Sequence, residues 1–295
     1  MRKIARLAYA AFETPDMDAQ VDYYRRIMGL TLVERTAEAA YLSATIDHHT
    51  VVLRPGAAPR CTRFGMQLSA AADLGSLARD LAAMGVAAER RRDAQPGVPE
   101  QVSFADPDGV AIDVFADHVP AGHKASGAGI SPIKLGHVAS NVTDVNRTVA
   151  FYEQALGMVV SDWIGDFFAF MRCGPDHHTV NFVQGKRAKM HHVAFEVQDF
   201  GAIKDTSDFL AMAGLPIIWG PVRHGPGHNI ATYHRNPDNQ IVELFCELDR
   251  VVDDRLGWFE PRPTHQGLPQ MPMTWNDIGL ANAIWGGQPP ASFLE

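Results

Sequence analysis

Glu243 is a carboxylate in the middle of an apolar run, QIVELF at 240–245. Burying an ionised carboxylate is costly unless it is paired or bound to a metal. Three histidines (His224, His228 and His234) and Tyr233 precede it within 20 residues. The stretch 220–245 starts polar and His-rich and then reads as strand, turn (Asn236-Pro237-Asp238-Asn239) and strand. These residue types suit metal chemistry. Which side chains complete a ligand set depends on the elements that place them.

Those elements come in copies. The string DHHTV at 47–51 returns at 176–180, 129 residues later, and DPDG at 106–109 returns as NPDN at 236–239. DMDAQVDYY at 16–24 parallels DVNRTVAFY at 144–152. Three blocks in one order at a near-constant offset indicate two duplicated halves of about 120 residues. Each half divides again. Residues 135–142 alternate like a strand, Thr143 or Asp144 can cap a helix to about Leu156, and Gly157 ends it. Strands follow at 158–164, 166–172 and 178–184. A second unit has strands at 190–198, 216–219, 229–235 and 240–246, with a helix near 203–213 ended by Gly214. Matching units lie at about 5–54 and 61–116. The expected fold is α+β, four βαβββ modules in two tandem domains, each a curved mixed sheet. The expected boundaries are 1–122, a Gly, Ala, Ser and Pro-rich linker at 123–132, 133–248, and a tail at 249–295 that holds Trp258, Trp275 and Trp285 and wraps the body or a neighbouring subunit.

Matching the modules assigns candidate donors. His137 and His192 fall on the first strands of the third and fourth modules, within LGHVA and MHHVA, and Glu243 falls on the last strand. The first half carries Tyr9, Arg63 and Asp113 at these positions. Two neutral imidazoles and one carboxylate form the facial set of Fe(II) oxygen chemistry, which leaves positions open for substrate and O2. Alternation along the strand turns His191 away from the His137 face. His178 and His49 read as structural, His234 as outside the site and Cys246 as packing, while His228 stays open between pocket and solvent. Trp163, Phe168, Phe170 and Trp219 could wall a pocket, and core packing is the slightly favoured reading.

The 295 residues carry a net charge of −8, which argues against a nucleic-acid partner. No run approaches the ~18 apolar residues of a membrane span. Three dispersed cysteines draw neither a zinc pattern nor a disulfide framework, and a reducing cytoplasm is the simplest compartment.

Over about residues 1–250 the chain resembles the type I extradiol catechol dioxygenases of the vicinal oxygen chelate superfamily. The resemblance rests on Gly136-His137-Val138, Asp176-His177-His178-Thr179, His191-His192-Val193-Ala194-Phe195, and His224, Tyr233 and Glu243 at spacings of 9 and 10. It implies Fe(II), with Mn(II) as an alternative, held by His137, His192 and Glu243. It also implies His177 as the acid–base residue and His224 and Tyr233 on the substrate oxygens. The implied partners are a catechol and O2, with no nucleic acid or membrane, in a homo-oligomer. Thr232 and Asn239 depart from the usual signature without touching a ligand. A divalent ion acidifies a bound phenol as it does water, and a histidine can move the second proton. The alternatives are a glyoxalase-like lyase and a metal-free binding protein on the same scaffold.

Overall fold

Each module begins with the same local device. An Asp at the helix N-cap accepts a backbone N–H three residues on: Asp16 from Ala19, Asp73 from Ser76, Asp144 from Arg147 and Asp199 from Ala202. Of the two candidate caps at 143–144, Asp144 is the one used. Gly157 closes its helix in the left-handed conformation, φ 66°.

The computed structural model describes residues 3–121, 128–253, 255, 258–259 and 272–293. The first half supplies β1 (Ile4–Thr14), α1 (Met17–Asp22), β2 (Thr31–Arg35), β3 (Ala40–Ser43), β4 (Val51–Pro55), β5 (Arg60–Leu68), α2 (Leu74–Ala83), β6 (Ala88–Gln95), β7 (Val98–Ala105) and β8 (Ala111–Phe115). The second supplies β9 (Lys134–Val142), α3 (Val145–Leu156), β10 (Val159–Ile164), β11 (Phe168–Arg172), β12 (Val180–Gln184), β13 (Lys189–Glu196), α4 (Phe200–Met212), β14 (Trp219–Arg223), β15 (Ile230–Arg235) and β16 (Ile241–Cys246). Four βαβββ modules are present, as expected. The expected linker falls partly outside the described residues.

The strands form two mixed sheets, ordered β2-β3-β4-β1-β5-β8-β7-β6 and β14-β15-β16-β13-β9-β12-β11-β10. In both, the first strands of the two modules pair antiparallel at the centre, and each runs parallel to the last strand of its own module. One strand moved from its expected place. Residues 216–219 were expected to be extended, whereas β14 spans Trp219–Arg223. Pro221 lies inside β14, which is an edge strand, where a proline removes no ladder bond.

The tail adds β17 (Val251–Asp253), β18 (Trp258–Phe259), β19 (Met273–Trp275) and α5 (Ile278–Asn282). β19 joins the second sheet beside β10, so this part of the tail wraps its own body. Trp285 bridges to Arg223, and the Trp258 side chain lies outside the described residues. Among the described residues no helix is long and apolar enough to cross a membrane.

His234 turns away from the site, as expected, and its Nε2 lies 2.7 Å from Tyr23 Oη of the first half. Burial pushes His234 down to about 4, and burial likewise pushes His118 to about 4. An unfolded His protonates near 6.5. As pH falls from 6.5 toward 4, the unfolded state therefore takes up protons that the folded state refuses, and stability is lost. Each histidine should withdraw about 2 kcal/mol between about pH 7 and about pH 5. Melting curves across that window should show the fall, and His234→Gln should flatten it by about one proton.

Candidate metal centre and active site

The pairing of β9, β13 and β16 fixes the donors. His137 lies opposite Ala194, and Ala194 lies opposite Glu243, so the three share one row across the sheet. Ala194 is too small to fill the gap between its neighbours. His192 stands two residues before Ala194, on the same face. The three side chains converge: His137 Nε2 is 3.3 Å from His192 Nε2, and Glu243 Oε2 is 3.1 Å from the first and 3.0 Å from the second. Donors on one face of an octahedron with bonds of ~2.1 Å lie about 3.0 Å apart. All three residues are buried.

Their protonation also suits a metal. Burial lowers the His192 pKa against the opposing pull of Glu243. Burial alone would raise Glu243, but His137 and His192 outweigh it and hold the carboxyl well below its usual range. A hydrogen-bond chain fixes the His192 tautomer. The Phe293 carbonyl accepts from His191 Nε2 at 2.8 Å, which makes His191 Nδ1 the acceptor for His192 Nδ1, also at 2.8 Å. The His192 Nε2 lone pair is left facing the other donors. His191 is thus turned from the donor set, as expected, yet it stands on the wall of the same cavity and holds a ligand in place.

The neighbouring histidine pair needs a correction. His178, not His177, lies beside the donors, with its ring centroid 4.4 Å from that of His137, and it lines the cavity. The His177 backbone N–H is tied to the Asp249 carbonyl, and its Nε2 points back to within 3.2 Å of Asp162 Oδ2. The two Nδ1 atoms lie 3.0 Å apart, so His177 backs His178. Burial, then the nearby His137 and His177, pushes His178 well below its ordinary value.

His224 and Tyr233 both reach the site. The Asn282 carbonyl accepts from His224 Nδ1 at 2.7 Å, and His224 Nε2 accepts from Tyr233 Oη at 2.8 Å. Burial raises Tyr233 well above its usual pKa, and Trp219 stacks on its ring. His228 faces neither cavity nor solvent: it is buried with Nδ1 2.6 Å from Asp249 Oδ2. Phe168, Phe170 and Trp219 line the cavity, against the slightly favoured core reading, while Trp163 packs on the core. The cavity measures about 730 Å³. Its roof is the tail. Trp275 and Ala281 close over Gly225, where a Cβ would meet the indole at 2.8 Å, and Phe293 packs on Trp219 and Tyr233.

The profile of the Glyoxalase/Bleomycin resistance protein/Dioxygenase superfamily matches residues 6–114 and 134–244. The chain belongs to this superfamily. Among curated members it is 27% identical over 262 residues to "Metapyrocatechase 2" of Cupriavidus necator, covering 82% of this chain and 80% of that protein. It is 26% identical over 280 residues to the "Iron-dependent extradiol dioxygenase" of Rhodococcus jostii (strain RHA1), covering 85% and 92%. A solved structure, the "Mn(II)-bound glyoxalase from Novosphingobium aromaticivorans", superposes with a TM-score of 0.84 at 27% identity, covering 98% and 94%. Members of the superfamily thus carry names that specify iron or manganese, and the His137, His192 and Glu243 cluster can hold such an ion.

Within this superfamily frame one residue escaped the sequence analysis. Asn229 Nδ2 donates to Glu243 Oε1 at 3.0 Å from a buried position. It orients the carboxylate so that Oε2 faces the imidazoles. The only sequence signal is a polar residue at the mouth of an apolar strand. Asn229→Ala should weaken metal affinity about 10- to 100-fold, read by titration against a competing chelator.

Proposed function

We propose that this chain is an extradiol dioxygenase that inserts both atoms of O2 into a catechol beside the diol and gives a ring-opened semialdehyde. One observation carries the reading. A complete donor triangle lies at the inner end of an apolar cavity, and three further polar side chains (His178, His224 and Tyr233) converge on it. His137, His192 and Glu243 would hold Fe(II) or Mn(II). The ion supplies acidification of a bound phenol and the redox reactivity that O2 chemistry requires.

The protein's own groups handle the protons. His178 has Nδ1 engaged by His177, which leaves Nε2 to take a proton from a substrate hydroxyl and return it later. Its low pKa keeps it neutral, and therefore a base, at neutral pH. Tyr233 keeps its phenolic proton, donates it in a hydrogen bond to His224 Nε2, and so turns a neutral acceptor oxygen toward the substrate. Phe168, Phe170 and Phe293 exclude water from the reacting oxygens.

Oxygen-electrode traces with anaerobically metal-loaded protein test the reading. Addition of catechol or 2,3-dihydroxybiphenyl should consume O2 and form a yellow product. Absence of uptake with both would overturn it. A glyoxalase-type isomerase would instead turn over a hemithioacetal with no O2 consumed. Self-association and a reducing compartment are part of the same proposal. Sedimentation equilibrium checks the first, and the absence of a disulfide among Cys61, Cys173 and Cys246 supports the second.

A further inference from the structure

We infer that the outer end of the cavity receives an anionic group, so that the preferred substrate is an extended catechol whose far end carries a carboxylate. The inference rests on the dioxygenase reading. The cavity runs outward along β9, whose His137, Ala139 and Asn141 all line it. Four residues of strand separate His137 from Asn141, about 13 Å. At the Asn141 level Lys189 is its cross-strand partner. The turn that follows β12 also lies there, with Gly185 donating to the Val142 carbonyl at 2.8 Å. Lys186 and Arg187 of that turn line the cavity mouth and are exposed.

The charge pattern is one-sided. Among the described residues Glu243, at the opposite end, is the only acidic side chain on the cavity wall. The chain as a whole carries −8, so a cationic rim at this mouth runs against the overall charge. Between the two ends the walls are mainly apolar, with Ile164, Phe168 and Phe170, and the buried Asn181 beside Ala139 adds one polar side chain. The cavity therefore reads, from inside out, as donor triangle, mainly apolar sleeve and cations. A ligand that satisfies all three zones has a diol, an aryl body and an anion about 10–13 Å from the metal donors. The 730 Å³ volume exceeds what a single ring fills.

The test compares 2,3-dihydroxybiphenyl-4′-carboxylate with its methyl ester. Anaerobic calorimetry on the metal-loaded protein gives Kd, and the oxygen electrode gives kcat/KM. The acid should bind about 10-fold more tightly than the ester at low salt. That preference should shrink toward unity in ~0.5 M salt and in Lys186→Gln/Arg187→Gln. The short anion 2,3-dihydroxybenzoate, which cannot reach the rim, should show no loss of affinity in the double variant. Equal affinity of acid and ester, or a preference that survives the double substitution, would overturn the inference while leaving catechol cleavage intact. If no catechol consumes O2, the dioxygenase reading fails and takes this inference with it.

Discussion

Glu243→Gln is expected to empty the metal centre. The substitution keeps volume and one acceptor oxygen, so packing is preserved and only charge is removed. With Glu243 a bound divalent ion and its three ligands carry a net +1; with Gln they carry +2. The site is buried, with Glu243 only 1% exposed. An extra unit of charge in such a place costs several kcal/mol, and each 1.4 kcal/mol is a factor of ten. Affinity should fall ~10³-fold or more, and O2 uptake with it. Elemental analysis after dialysis should find the wild type with about one ion per chain and the variant nearly metal-free. A variant that kept its full complement of metal would show that the carboxylate is not a ligand.

The second large effect separates two adjacent histidines. His178→Asn should retain the metal and lose turnover by ~10²- to 10⁴-fold, the range that general acid–base groups contribute. His177→Asn should lose much less, because His177 stands behind His178 against Asp162 and outside the cavity. Metal content and kcat measured side by side decide the matter. Equal losses of kcat in the two variants would mean that the pair acts as one unit, and a larger loss at His177 would reverse the assignment.

That pair also marks where the sequence stops being legible. Module count and the three donors follow from repeats, because one residue matched between modules fixes its row and face. The alternation rule works only inside a strand. β12 begins at Val180, after both histidines, so nothing periodic assigns a face to either. Their orientation comes instead from the Asp249 carbonyl that accepts the His177 N–H, a contact 72 residues away. The roof was out of reach for a similar reason. Asn282 and Phe293 act through backbone carbonyls on His224 and His191, and a carbonyl leaves no mark in a sequence. Asn229 lacked a signal because one hydrogen bond to Glu243 asks for no spacing pattern.

The first half holds the same lattice with other side chains on it. Tyr9 lies opposite Gly65 and Gly65 opposite Asp113, with Arg63 two residues away, mirroring His137, Ala194, Glu243 and His192. There the tyrosine ring lies on the glycine, where a Cβ would sit 1.9 Å from it. Its hydroxyl donates to Asp113 at 2.5 Å and Arg63 pairs with the same carboxylate. The place an ion would take is occupied by a phenol that hydrogen-bonds the acid and a guanidinium that neutralises it from within. Duplication therefore produced one copy that is completed by an inorganic guest and one that is its own guest. Four side chains on a matching strand register separate a reactive centre from a strut.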